Sequence, residues 1–278
     1  MRQRITLAHS PDSDDAFMFY ALAEKKVDGR GIDFVHELSD IETLNRRTKN
    51  GELDVSAISF HAYPEVAEQY ALLPHGASFG DGYGPVVVSR LPMSPGEIRG
   101  ATVAIPGEKT SAALALALWQ PGITTRVLPF DQILPAVLEG RAPAGVLIHE
   151  GQLQFADLGL HCVVDLGRWW KEETGLPLPL GGNVIRKALG KETIAKVSAA
   201  LSESIAYGLD HREDALSYAL TFARGLDRGQ ADRFVSMYVN DWTRGYGPKG
   251  RQAVELFLGR AAEAGLVPKV SVQFAGEI

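Results

Sequence analysis

One cysteine in 278 residues, Cys162, leaves no internal disulfide to form and no thiolate cluster for a metal. It sits in the apolar run Cys162-Val163-Val164, where a buried bystander thiol is expected. No apolar run approaches the ~18 residues of a membrane-spanning helix. Positive charge is not in excess either. With 28 Lys and Arg against 34 Asp and Glu, the net charge is −6, which does not favour non-specific nucleic-acid binding. The acidic residues are scattered rather than gathered into a tail. Catalytic signatures are missing too. There is no Gly-x-Ser-x-Gly nucleophile turn, no Gly-x-Gly-x-x-Gly after a strand and no phosphate-binding loop with the required glycine and lysine spacing. No apolar signal core precedes the first strand, so the expected compartment is the cytoplasm.

What is present is a duplication. Residues 5–59 and 102–149 each open on a short apolar strand, Ile5-Thr6-Leu7-Ala8 and Thr102-Val103-Ala104-Ile105. Each strand runs into a polar loop, Ser10-Pro11-Asp12-Ser13-Asp14-Asp15 or Pro106-Gly107-Glu108-Lys109-Thr110-Ser111, that opens an apolar helix. A second strand, a helix started near Asp40 or Asp131 and ended by Gly51 or Gly140, and a third strand follow. A repeated β-α-β-α-β unit predicts an α/β fold of two lobes with parallel sheets. Ligands of such sheets sit at the carboxyl ends of the strands, so the lobes should face each other across a central cleft.

Residues 91–100, rich in Pro and Gly, read as the crossing into the second lobe, and Leu176-Pro177-Leu178-Pro179-Leu180-Gly181-Gly182 as the extended return. That assigns 1–92 and 183–278 to the first lobe and 93–182 to the second, joined by a two-strand hinge able to close on a ligand. Apolar positions Ile194, Val197, Leu201, Ile205 and Leu209 keep helical spacing, so the C-terminal region is expected to be helical and packed on the first lobe. The segment 76–84 carries four glycines in nine residues, for a sharp turn or for close approach of a ligand.

Thr110 and Ser111, behind Gly107 and Lys109, open a helix whose unpaired N–H groups favour an anion; ordinary N-capping accounts for the same residues. Asp12, Asp14 and Asp15 could hold ligand hydroxyls or a divalent metal, or serve the positive end of their helix; no further carboxylate or His cluster has metal-ligand spacing. His149 ends the strand of the second copy beside the expected cleft, where a neutral imidazole is a natural general base or a hydrogen-bonded strand end. Glu150 next to it is expected to alternate away from the site. Ser59 occupies the equivalent place in the first copy. The tryptophans, Trp169, Trp170 and Trp242 among them, are expected in packing, with Trp170 near the return crossing.

Several of these segments together resemble the 1,4-dihydroxy-6-naphthoate synthase family of the futalosine route to menaquinone: residues 10–20, Asp40-Ile41-Glu42-Thr43-Leu44-Asn45, 80–85, Ile148-His149-Glu150, Trp169-Trp170, 175–181 and Tyr238-Val239-Asn240. The resemblance covers most of the chain. It implies a type II periplasmic-binding-protein-like fold with the ligand between the lobes. It also implies a lyase that converts cyclic dehypoxanthine futalosine to 1,4-dihydroxy-6-naphthoate without a redox cofactor. His149 would be the general base. Thr110 and Ser111 would receive the carboxylate of a small substrate, and Ser59, with Ala57 and Ile58 before it and Asp15 opposite, would contact the rest. Two features differ from typical members. The first-lobe loop, usually Ser-Pro-Cys-Pro-Asn-Asp-Thr, is more acidic here, and Ala57 stands where some members carry Lys. A non-catalytic solute-binding protein and the sister chorismate dehydratase are the competing expectations. Oligomeric state is not set by the sequence.

Overall fold

The computed structural model describes residues 3–222 and 227–277. The first copy of the repeat forms β1 (Gln3–His9), α1 (Ser13–Ala23), β2 (Ile32–Leu38), α2 (Ile41–Lys49) and β3 (Val55–Ser59). A short α3 (Tyr63–Val66), β4 (Tyr70–Leu72) and β5 (Ser78–Gly80) follow. The second lobe contains β6 (Val86–Ser89), α4 (Pro95–Ile98), β7 (Thr102–Ile105), α5 (Ser111–Trp119) and β8 (Thr124–Val127). It continues through α6 (Phe130–Leu138), β9 (Ala144–Leu147), α7 (Gly151–Gln154), β10 (His161–Asp165) and α8 (Leu166–Thr174). The chain returns through β11 (Leu178–Arg186). It ends in α9 (Lys191–Asp210), α10 (Arg212–Leu220), α11 (Arg228–Tyr238), α12 (Asp241–Arg244) and α13 (Gly247–Glu263).

The duplication is visible in the pairing. β1 runs parallel to β2 and β3, and β7 runs parallel to β8 and β9, so each copy builds the same three-strand order. Both sheets are nevertheless mixed, because each is extended by an antiparallel strand: β11 beside β3 and β6 beside β9. Burial follows the sheet type. β3 and β9 are buried along their whole length, as strands covered on both faces must be.

Strand pairing moves the crossings. β6 pairs with β9 and β10, so the chain has left the first sheet by residue 86, earlier than the Pro-rich segment at 91–100. On the return, Leu178 already pairs with Gly80, ahead of the expected re-entry at 183. The glycine-rich segment is therefore part of the crossing. A Cβ placed on Gly80 would lie 2.1 Å from the Tyr83 carbonyl oxygen, and one on Gly167 1.9 Å from the same atom. The backbones here are too close for any side chain.

Local sequence explains the helix starts. Asp40 caps α2 by accepting from the Thr43 amide at 3.0 Å, and Thr110 caps α5 by accepting from Ala113 at 3.2 Å. Asp131 is not a cap. α6 begins at Phe130 after Pro129, which puts Asp131 inside the first turn, where its charge suits the helix dipole. α9, α10 and α11 pack on α1, with Ile194, Val197, Leu201 and Ile205 buried in one cluster with Phe17, whereas α13 packs on β11 and on α5 of the second lobe. A second core runs through both lobes. Ile58 and Phe79 of the first sheet and Phe60 just past β3 share it with Val103 and Ile105 of the second sheet and Leu114 of α5, closed by Trp170 against Phe257 at 5.3 Å. Trp170 is thus a core residue. Cys162 departs from expectation: it is exposed, on a strand that ends its sheet and has a partner on one side only. Among the described residues no helix is long and apolar enough to cross a membrane.

Candidate functional site

The loops after β1, β7 and β9 and the end of β3 converge on one cleft. Ser59, Ala57, Ile58, Asp15, Thr110 and Ser111 all border it, so six of the seven residues expected there are brought together.

One end of the cleft is built from hydroxyls and a helix start. Asn45 of α2 orients Ser59: its Oδ1 accepts from the Ser59 amide at 2.9 Å and its Nδ2 donates to Ser59 Oγ at 3.2 Å. Asn45 Nδ2 also lies within donating distance of the Lys109 carbonyl, at 3.3 Å, tying the first lobe to the second. Glu42, one turn earlier, accepts from the Lys109 amide at 3.2 Å. Gly107 makes that approach possible, because a Cβ there would sit 2.4 Å from the Glu42 carboxylate. Lys109 spends its charge on Glu65, which also holds Lys49 at 2.6 Å. Its ammonium therefore serves the lobe contact.

Both hydroxyls of the α5 start are engaged internally. Thr110 Oγ1 donates to the Gly107 carbonyl at 2.9 Å while it caps the helix, and Ser111 Oγ donates to the Leu180 carbonyl at 2.5 Å. Beside them His61 contacts the Thr110 carbonyl at 3.1 Å, and burial lowers its pKa so that it stays neutral. The cap uses the Ala113 amide, which leaves the Ser111 and Ala112 amides, the first two of α5, without an intrahelical acceptor. Unpaired amides at a helix start are groups that can hold an anion.

The other end is acidic. Asp15 accepts from the Ser10 amide at 2.7 Å, and burial raises its pKa to about 6. Burial, with the carboxyls of Asp15, Asp12 and Glu150, pushes Asp14 well above the usual carboxylate range. Glu150 comes from the opposite lobe and accepts from Ser13 Oγ at 3.3 Å. It was expected to alternate away. The strand stops at Leu147, however, and the chain turns, so alternation no longer applies. Among the described residues no group of three His, Cys, Asp or Glu side chains is placed to hold a metal ion.

His149 is the seventh expected residue, and it is not among the residues that border the cleft. Its neighbour Ile148 borders the cleft. The imidazole packs edge-on against Phe130, with Nε2 3.2 Å from the Phe130 carbonyl and Nδ1 accepting from the Gly151 amide at 3.1 Å. Both nitrogens are occupied in this rotamer, with Nε2 carrying the proton as assigned from those partners. His9, the other strand-end histidine, is buried on Phe19, and burial lowers its pKa to about 3.

Gln152, Asn183, Phe234 and Tyr238 also border the cleft; none was expected as a site residue, although Tyr238 lies in a segment that carries the family resemblance. Tyr238 donates to Gln152 Oε1 at 2.8 Å, closing α11 onto α7. Asn183 is a buried polar residue within β11, a signal the strand's sequence carries. Gln152 lies three residues past His149 at the same strand end.

Two α/β lobes meeting on a cleft at their strand ends define a ligand-binding architecture of the periplasmic-binding-protein kind. The alkanesulfonate-binding protein of Xanthomonas axonopodis shares it with a TM-score of 0.72 at 10% identity over 97% of this chain and 96% of that one. Residues 5–263 match the menaquinone biosynthesis family. The 1,4-dihydroxy-6-naphthoate synthase of Streptomyces coelicolor is 37% identical over 95% of both chains. That of Thermus thermophilus is 38% identical over 95% of this chain and 96% of its own. A solved structure from Archaeoglobus fulgidus is 45% identical, covering 95% of this chain and 98% of that one, with a TM-score of 0.91. The chain belongs to the menaquinone-biosynthesis family that contains the 1,4-dihydroxy-6-naphthoate synthases.

Proposed function

We propose that this protein is a carbon–carbon lyase that converts cyclic dehypoxanthine futalosine to 1,4-dihydroxy-6-naphthoate in the cleft between its lobes. The observation that carries the reading is the α5 start. Two unpaired amides, framed by Thr110, Ser111 and Ser59, open a helix whose start borders the cleft, in a chain of this family. The substrate carboxylate docks on those amides. Loss of the small sugar-derived fragment leaves an aromatic ring, which supplies the driving force, so the reaction needs no redox cofactor.

His149 acts as the general base once its ring turns towards the cleft. The turn gives up contacts to Phe130 and Gly151, a cost of about 1 kcal/mol each. Catalytic hydrogen bonds often form only in the substrate complex. The site works in the cytoplasm on a small carboxylate-bearing molecule.

The test is a paired assay. Purified protein is given cyclic dehypoxanthine futalosine in one reaction and chorismate in another, and products are separated by chromatography. Release of the naphthoate from the first alone supports the lyase. An enolpyruvyl benzoate from the second makes the protein the sister dehydratase. Tight binding without turnover makes it a solute-binding protein.

A further inference from the structure

Gln152 has one buried polar atom that nothing accounts for. The residue is 8% exposed, and its Oε1 receives the Tyr238 hydroxyl. In this arrangement the hydroxyl donates, and the amide stands with its oxygen towards α11 and its nitrogen turned the other way. Nε2 has no hydrogen-bond partner among the described residues. Buried donors are almost always paired, and leaving one unpaired is costly. The residue borders the cleft, on the short helix that follows β9, and Tyr238 on α11 borders the same cleft.

Its surroundings define what it can bind. Asp14 borders the same cleft, and Glu150 lies two residues away, joined to Ser13 across the lobes. An anionic group placed here would meet carboxyls, whereas the carboxylate has its own amides at the other end. A neutral oxygen acceptor, a hydroxyl or carbonyl, suits an amide donor in such company.

We infer that Gln152 is a second substrate-recognition residue, donating through Nε2 to a neutral oxygen on the hydroxylated, sugar-derived part of the substrate, and that Tyr238 is the positioning residue that locks its amide. The inference rests on the proposed reading of the cleft and assigns its two ends: carboxylate at α5, hydroxyls at Gln152.

The experiment uses the full chain with Gln152→Met, which keeps the volume and removes the donor, and Tyr238→Phe, which removes only the lock. Calorimetric Kd values are measured for cyclic dehypoxanthine futalosine and for 2-naphthoate, a bicyclic carboxylate without hydroxyls; kcat and KM follow for the first. Gln152→Met should weaken the hydroxylated ligand roughly 10- to 100-fold and leave 2-naphthoate within about 3-fold. Tyr238→Phe should weaken the same ligand less, again without affecting 2-naphthoate. Equal losses for both ligands, or no loss for either, overturn the assignment. Binding without turnover in the wild type would sink the lyase reading alone, since the Kd comparison still decides on Gln152. Failure of the wild type to bind the hydroxylated ligand overturns both.

Discussion

The anion end of the cleft can be tested by removing a single proton donor. Ser111 is the first residue of α5, and its hydroxyl proton is already given to the Leu180 carbonyl at 2.5 Å. The account therefore assigns carboxylate binding to the backbone amides of Ser111 and Ala112 rather than to that hydroxyl. Ser111→Ala and Ser111→Pro separate the two. Proline is well tolerated at the first helical position, and the preceding Thr110, at φ −73° and ψ 145°, has the extended geometry that a following proline requires. Both variants lose the Ser111 hydroxyl contacts. Leu180 keeps the Phe60 amide at 3.3 Å, so the loss is modest, about 1 kcal/mol, or roughly 2–4 °C in Tm for a chain of this size. Only the proline variant also loses the N–H. A hydrogen bond to a charged group contributes about 1.5–3 kcal/mol, so KM should rise roughly 10- to 150-fold in Ser111→Pro relative to Ser111→Ala, with similar melting temperatures. Steady-state kinetics beside thermal melts read both quantities. Equal KM values in two folded variants would refute the amide anchor and leave Thr110 and Ser111 as a helix cap and a lobe tie.

Two further outcomes concern stability. Tyr246 is fully buried, and its hydroxyl has no hydrogen-bond partner among the described residues; Tyr246→Phe should therefore raise stability by about 1 kcal/mol, seen as a higher midpoint in urea. Asp14, with its pKa raised by burial and neighbouring carboxyls, favours folding while protonated and loses that contribution as pH rises through its folded pKa. Asp14→Asn should accordingly change Tm little below about pH 4, near the unfolded carboxyl pKa, and increase it progressively towards pH 8; a gain that is constant or shrinks with pH would contradict the assigned cluster.

Much of this architecture was legible in the sequence because it is written twice. The strand–polar loop–helix units gave the two parallel trios, and residues at strand ends gave Ser59, Thr110 and Ser111 at the cleft. The sheet to which β6 belongs was not legible: a run of three valines fits either sheet, and only pairing with β9 decides. Contributions from sequence-distant elements were hidden for the same reason. Tyr238 reads as one more apolar position of a helix until α11 is seen to close on Gln152. Glu150 and His149 show the limit of alternation. It predicts which side of a strand a residue takes, but both lie past the end of β9, in a turn that sends the carboxylate to the opposite lobe and the imidazole towards Phe130.

The central claim, that chemistry occurs in this cleft with His149 as base, is tested most directly by His149→Asn in single-turnover experiments with cyclic dehypoxanthine futalosine, with ligand affinity measured in parallel. The account predicts binding within about 3-fold of the unsubstituted protein and a rate of naphthoate formation lowered by roughly 10²- to 10⁴-fold. Turnover at the original rate in a variant that folds and binds would contradict it.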